Sequence, residues 1–150
     1  MSSPTVKTGH VALNVTDVER SSAFYRRVLG FDVLGEQVDG EQKFALLGGN
    51  GILDLALWEQ SAQTFPTDRA GLHHLSFEVA DVAAVQRAEA TLKELGAEFF
   101  YDGIVPHGEG ASSGGVFFMD PDGIRLEIYA PQGADSAPAP TQGAPTCGFF

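Results

Sequence analysis

At 150 residues the chain is long enough for one domain that buries about two-thirds of the surface its unfolded form would expose. Its hydrophobic fraction of 43% and charged fraction of 19% are those of a soluble globular protein, and no apolar run approaches the roughly 20 residues of a membrane span, which argues against a membrane protein. The net charge of −11 repels a phosphate backbone and the nine Lys and Arg form no basic stripe, which argues against a nucleic-acid partner.

The first twenty residues combine no basic start with a continuous apolar stretch, so no secretory signal is read there and a cytoplasmic location is the expectation. From His10 the sequence His-Val-Ala-Leu-Asn-Val alternates in side-chain direction and predicts a strand, followed at Asp17 by a helix whose core side carries Val18, Ser21, Phe24, Tyr25, Val28 and Leu29, with Gly30 as its stop. Strands are predicted over 31–38, 42–48 and 52–58, separated by Asp39-Gly40 and by Gly48-Gly49-Asn50-Gly51. A connector spans 59–71. The pattern then repeats: His10, Val15, Asp17 and Val18 match His74, Val79, Asp81 and Val82 in one register. The second helix carries Val82, Val85, Ala88, Leu92 and Leu95 on its core side and stops at Gly96, and strands are predicted over 97–101, 115–119 and 124–130, the last two joined by Asp120-Pro121-Asp122-Gly123. The fold class is therefore α+β, with two βαβββ modules over about 6–58 and 72–130 inside a domain covering 1–130.

From Pro131 the hydrophobic periodicity gives way to Pro, Ala, Gly, Ser, Thr and Gln, with Asp135 as the only charge, and 131–150 reads as a flexible tail. A second reading stays open, because Cys147-Gly148-Phe149-Phe150 places two aromatics on a polar tether able to dock in a groove. Cys147, the only cysteine, excludes an internal disulfide and a cysteine-rich zinc cage.

Strand parity sorts the chemistry-bearing side chains. His10 and Asn14 share the less apolar face of the first strand, His74 and Glu78 that of its repeat, and Arg125, Glu127 and Tyr129 that of the last strand; Trp58 has the same inward parity. Glu127 lies between apolar neighbours, where a charge requires a cation or hydrogen-bonding partners. Two His and a carboxylate on separate strands are the nitrogen and oxygen donors a divalent metal accepts, with positions left for water or substrate. His73 has the opposite parity to His74 and is expected to face away. His107 and Glu109 fall in a glycine-rich loop ahead of a predicted inner strand, making His107 a candidate acid–base or substrate-contact residue, and Glu78 is a candidate general base if it is buried.

The segments GHVALNVTDVERSSAFYRRVLGF, LHHLSFEVADV and FFMDPDGIRLEIYAP resemble the vicinal oxygen chelate superfamily, which includes glyoxalases, bleomycin resistance proteins and ring-cleaving dioxygenases, over about residues 6–130. The resemblance implies an open eight-stranded cup of paired βαβββ modules, one divalent metal ion (Fe, Zn, Ni or Mn) held by His10, His74 and Glu127, a small-molecule substrate and a homodimer. Members similar to glyoxalase I carry a fourth ligand, a Glu on the last strand of the first module. Here the repeat register sets Asp54 opposite Glu127, as a ligand, as an outer group that orients ligands or water, or as a bystander.

The leading functional reading is a metal-dependent enzyme whose substrate is chelated through adjacent oxygens. Lyase or isomerase chemistry would go with a fourth carboxylate, and an oxidoreductase, dioxygenase-type ring cleavage, with an open two-His, one-carboxylate face. The alternative is a ligand-sequestering protein of the bleomycin-resistance type without catalysis.

Overall fold

A computed structural model of the chain describes residues 5–148 and Phe150. It divides into two compact units, one ending at Thr64 and one beginning at Phe65. Each is a βαβββ module with its own four-stranded sheet, so the α+β fold with two modules holds. Among the described residues no helix is long and apolar enough to cross a membrane.

The first unit runs β1 (Val11–Val15), α1 (Val18–Leu29), β2 (Asp32–Gln37), β3 (Phe44–Gly49) and β4 (Ile52–Glu59), in sheet order β1-β4-β3-β2. Asp17 caps α1 by accepting from the Arg20 amide at 3.1 Å, and the Glu59 carboxylate accepts from the Val18 amide at 2.9 Å. Gly30, at φ 72°, ends the helix in the left-handed conformation that suits glycine. Val18, Phe24 and Tyr25 are buried against β3 and β4, where Ala45, Leu47, Leu55 and Leu57 face the helix. The β3–β4 hairpin turns through Asn50 and Gly51, both at positive φ, as a two-residue turn of matching twist requires.

The second unit runs β5 (Leu75–Glu78), α2 (Val82–Glu94), β6 (Val105–Pro106), β7 (Gly114–Met119) and β8 (Arg125–Ala130), in sheet order β5-β8-β7-β6. Asp81 caps α2 through the Ala84 amide at 2.9 Å. Val85, Ala88 and Leu92 pack on Val116, Phe118, Leu126 and Ile128, which share one face of β7 and β8. The opposite face, carrying Phe117, Arg125, Glu127 and Tyr129, is free of the helix.

Two expectations need correction. The strand predicted over 97–101 is not a strand: Phe99 makes a single bridge to Phe118, and the Phe100 amide reaches the Phe117 carbonyl at 2.8 Å. Gly103, at φ 72°, turns the chain before it returns to the same edge as β6, where Pro106 is tolerated because an edge position needs no amide donor. Leu95 falls at the C-cap of α2, beyond the last packed turn, and is 38% exposed rather than in the core.

Candidate metal centre

The centre is built outward from Glu127. In β8 the side chains alternate, so Leu126 and Ile128 go to the helix side and Glu127 to the other. Because β8 is an inner strand, Glu127 is flanked in register by Ser76 of β5 and Phe117 of β7, and it is only 3% exposed. Its Oε2 accepts from His107 Nε2 at 2.9 Å, and its Oε1 stands 3.3 Å from His74 Nε2. Burial alone would raise the Glu127 pKa. Hydrogen bonds from His107 and Ser76 and the nearby imidazoles of His107 and His74 outweigh it and hold the carboxyl below the ordinary glutamate range.

His74 lies immediately before β5 and turns its Nε2 toward this carboxylate. Its Nδ1 is 2.9 Å from Nδ1 of His73, so one of the two rings must donate to the other. Burial, with Arg125 and His74 nearby, lowers the His73 pKa against the opposing effect of a backbone hydrogen bond to Gly148. Whichever ring donates, the contact fixes the His74 ring with its Nε2 facing Glu127.

His107, at the end of β6, is tied through Nδ1 to the Ser113 hydroxyl at 2.8 Å and lies against the Tyr129 ring, centroids 4.8 Å apart. The Tyr129 hydroxyl donates to Glu78 Oε1 at 3.0 Å. That hydrogen bond, then burial and the negative charges of Glu78 and Glu127, raises the Tyr129 pKa and keeps the phenol protonated. Glu78 is exposed, so the burial on which its role as a base was conditional is absent. Arg125 donates through Nε to the His73 carbonyl at 2.8 Å and through Nη1 to the main-chain oxygen of Phe150 at 2.7 Å.

Residues 144–150, where described, pack on this same face; Phe149 lies outside the described residues. The Phe150 ring is 4% exposed and sits 5.0 Å from Phe117 and 5.4 Å from His74, centroid to centroid. A single 3-10 turn, Thr146–Gly148, sets Cys147 beside the centre. A nitrogen of His74, a carboxylate oxygen of Glu127 and Cys147 Sγ all lie within 4.8 Å of one another.

These residues fit a divalent cation. Metal bonds of about 2.0–2.2 Å to nitrogen or oxygen set neighbouring donors about 3 Å apart, close to the 3.3 Å between His74 and Glu127. The same spacing is long for a charge-assisted hydrogen bond, which runs at about 2.7–2.9 Å.

The family model of the Glyoxalase/Bleomycin resistance protein/Dioxygenase superfamily matches residues 7–128. The chain belongs to this superfamily. Over 128 residues it is 34% identical to the uncharacterised protein YwkD of Bacillus subtilis, covering 80% of this chain and 93% of that one. It is 31% identical over 123 residues to a catechol-2,3-dioxygenase of the same organism, covering 81% of this chain and 40% of the dioxygenase, and so spans less than half of that relative. Among solved structures, a glyoxylase/bleomycin resistance protein/dioxygenase domain from Frankia sp. EAN1pec is similar at a TM-score of 0.70 and 28% identity, covering 85% of this chain and 98% of that domain.

The strand register corrects the reading that sets Asp54 opposite Glu127. Ser76 pairs with Glu127 in the second unit, whereas the equivalent Ala12 pairs with Ala56 in the first. The counterpart of Glu127 is therefore Ala56; Asp54 lies two residues earlier, at the position equivalent to Arg125, and is exposed.

The remaining sites of the first unit stand as follows. His10 is exposed directly before β1, as His74 stands before β5. Asn14 accepts from the Gln60 amide at 2.9 Å, a bond that closes the end of β1 onto the chain leaving β4. Trp58 stacks on Phe44, centroids 5.5 Å apart, beside an open groove of about 350 Å³ lined by Glu41, Lys43 and Glu59. Glu109 is exposed in its loop.

The second unit thus gathers His74, Glu78, His107, Arg125, Glu127 and Tyr129 on one face. His73, Ser76 and Cys147 join them without having been chosen as site residues, and Phe150, read as an aromatic able to dock in a groove, lies against His74 and Phe117. Parity set His73 facing away from His74, but both precede β5, where alternation does not hold, and their rings are in contact with centroids 5.1 Å apart.

Proposed function

We propose that this chain is a metal-dependent enzyme acting on a small substrate bound through two adjacent oxygens, with oxygen-dependent ring opening as its chemistry. The observation that carries this reading is the buried Glu127 carboxylate set 3.3 Å from the Nε2 of His74 on the helix-free face of the second sheet. His10 is assigned as a third ligand from its matching place in the repeat. Ala56 in the position where glyoxalase I-like members carry a carboxylate favours a two-His, one-carboxylate set, the arrangement suited to oxygenases, over the four-ligand isomerase set.

When bound, the cation supplies Lewis-acid polarisation of the two substrate oxygens and the redox capacity that ring opening with dioxygen needs. The protein's own groups do the rest. Tyr129, kept protonated by the hydrogen bond it donates to Glu78, offers its hydroxyl oxygen as an acceptor for a substrate hydroxyl. His107, oriented by Ser113, has its Nε2 on the centre and is the group to take up or return a proton there. Phe117, fully buried beneath Phe150, and the ring face of Tyr129 are the apolar surface an aromatic substrate would meet once Phe150 is displaced.

Anaerobic purification followed by metal analysis and oxygen-uptake assays on a panel of catechols tests the reading. Stoichiometric iron or manganese, lost in His10→Ala, His74→Ala and Glu127→Ala, with uptake of oxygen, is the expected result. Nickel or zinc with no oxygen uptake would move the chain to isomerase or lyase chemistry, and no metal under any reconstitution would leave a ligand-binding protein.

A further inference from the structure

Thr146 and Phe150, on either side of Cys147, are both seated on the candidate centre. Upstream of Cys147, the Thr146 amide donates to the His107 carbonyl at 2.8 Å, the Thr146 hydroxyl donates to the Pro106 carbonyl at 2.6 Å, and the Tyr101 hydroxyl donates to the Thr146 carbonyl at 3.0 Å. Thr146 is fully buried by this arrangement. Downstream, Arg125 holds the Phe150 main-chain oxygen, and the Phe150 ring packs with Phe117 and Val105 in one buried cluster. The 3-10 turn places the sulfur in a set of three donors, with His74 and Glu127, no two of which are more than 4.8 Å apart.

We propose that Cys147 is a ligand of the metal centre, delivered by this strap as a thiolate alongside His74 and Glu127. The inference rests on the metal-centre reading above and extends its donor set. The chemistry agrees on three points. A thiolate is a strong ligand for borderline and soft divalent ions, at bond lengths of about 2.3 Å. The buried surroundings that disfavour a free thiolate favour one whose charge a cation neutralises. The strap is itself part of the second unit, so all three donors belong to one compact body.

Two consequences follow for the site. A sulfur donor shifts metal preference toward Fe(II), Co(II) and Zn(II) and away from Mn(II) and Mg(II). The strap also occupies the face that an aromatic substrate would use, so a substrate chelating through two oxygens displaces the sulfur, and Phe150 with it, on entry.

Cobalt(II) titration of the metal-free full-length chain, followed by electronic absorption, tests the assignment. Because Cys147 is the only cysteine, an intense near-ultraviolet sulfur-to-cobalt charge-transfer band, with a per-site intensity independent of protein concentration, reports ligation by the chain's own strap. The expected result is that band together with weaker visible d–d bands. In Cys147→Ser the charge-transfer band disappears, the d–d bands persist, and cobalt affinity falls at least about tenfold. Saturating d–d bands without the charge-transfer band in the unmodified chain would overturn the thiolate ligand while leaving the metal centre standing. Absence of any cobalt spectrum would overturn the centre and the thiolate together.

Discussion

Glu127 is a buried carboxylate whose charge depends on its partners, which makes its acid behaviour predictable in the metal-free protein. Its folded pKa lies below the ordinary value of 4.5, so the folded state binds this proton less readily than the unfolded chain. The stabilisation is fully present above the ordinary glutamate range and is lost as pH falls from about 4.5 through the lower folded value. Chelator-treated protein should lose thermal stability over that acidic window. Glu127→Gln, which removes the titrating group, should show a shallower dependence there; an unchanged acid limb would show that other carboxylates dominate. His73 supports a different test. If it accepts from His74 Nδ1, then His73→Phe keeps the aromatic bulk and removes the acceptor, weakening metal binding about 10- to 100-fold while far-ultraviolet dichroism stays the same. His73→Gln, which restores an acceptor, should recover part of that affinity. None of this was legible from alternation, because both histidines stand ahead of β5, where the chain is not yet a strand.

The elements were legible to the extent that each was marked by local chemistry. Asp17 and Asp81 cap the helices because a short carboxylate reaches the free amides of a first turn, and that requirement is written in sequence. The hairpins at Asn50-Gly51 and Asp120–Gly123 were legible for the same reason, Asp120 Oδ1 accepting from the amides of Asp122 and Ile124 at 2.8 and 2.9 Å. β6 was not, since two residues carry no periodicity and its pairing is fixed by β7, which the chain reaches only after the loop 107–113. The pairing of Ala12 with Ala56 was equally hidden, because register is a property of two strands and not of one. Close strand approach makes its own prediction at Gly115. A Cβ there would meet the Ile128 carbonyl oxygen at 1.8 Å, so the backbone of β7 or β8 must shift to admit one. Gly115→Ala should destabilise by about 1–3 kcal/mol, read as a fall in the denaturation midpoint. Gly108→Ala, with nothing within 4 Å of the added carbon, should leave the midpoint where it was.

At the scale of the whole molecule, a bound ion acts on folding by mass action, since the donors converge only in the native chain. The chain carries a formal charge of −11, and a buried anionic centre adds to the self-repulsion that a cation relieves. At free metal about 100-fold above its dissociation constant the gain is about 2.7 kcal/mol, which for a chain of 150 residues corresponds to a melting shift of roughly 5–10 °C. Differential scanning calorimetry with and without chelator reads that shift directly. Removing a ligand with His74→Ala should abolish it, because affinity and stabilisation are the same free energy measured twice. His10→Ala separates what the repeat implies from what the second unit does alone: a shift that shrinks with this substitution makes His10 a ligand, and one that persists undiminished confines the centre to His74, Glu127 and the strap. Cys147→Ser lies between these limits. A tenfold loss of affinity is about 1.4 kcal/mol, so the shift should shrink by roughly 3–6 °C without disappearing, and a Cys147→Ser protein whose shift equals that of the unmodified chain would place the sulfur outside the donor set.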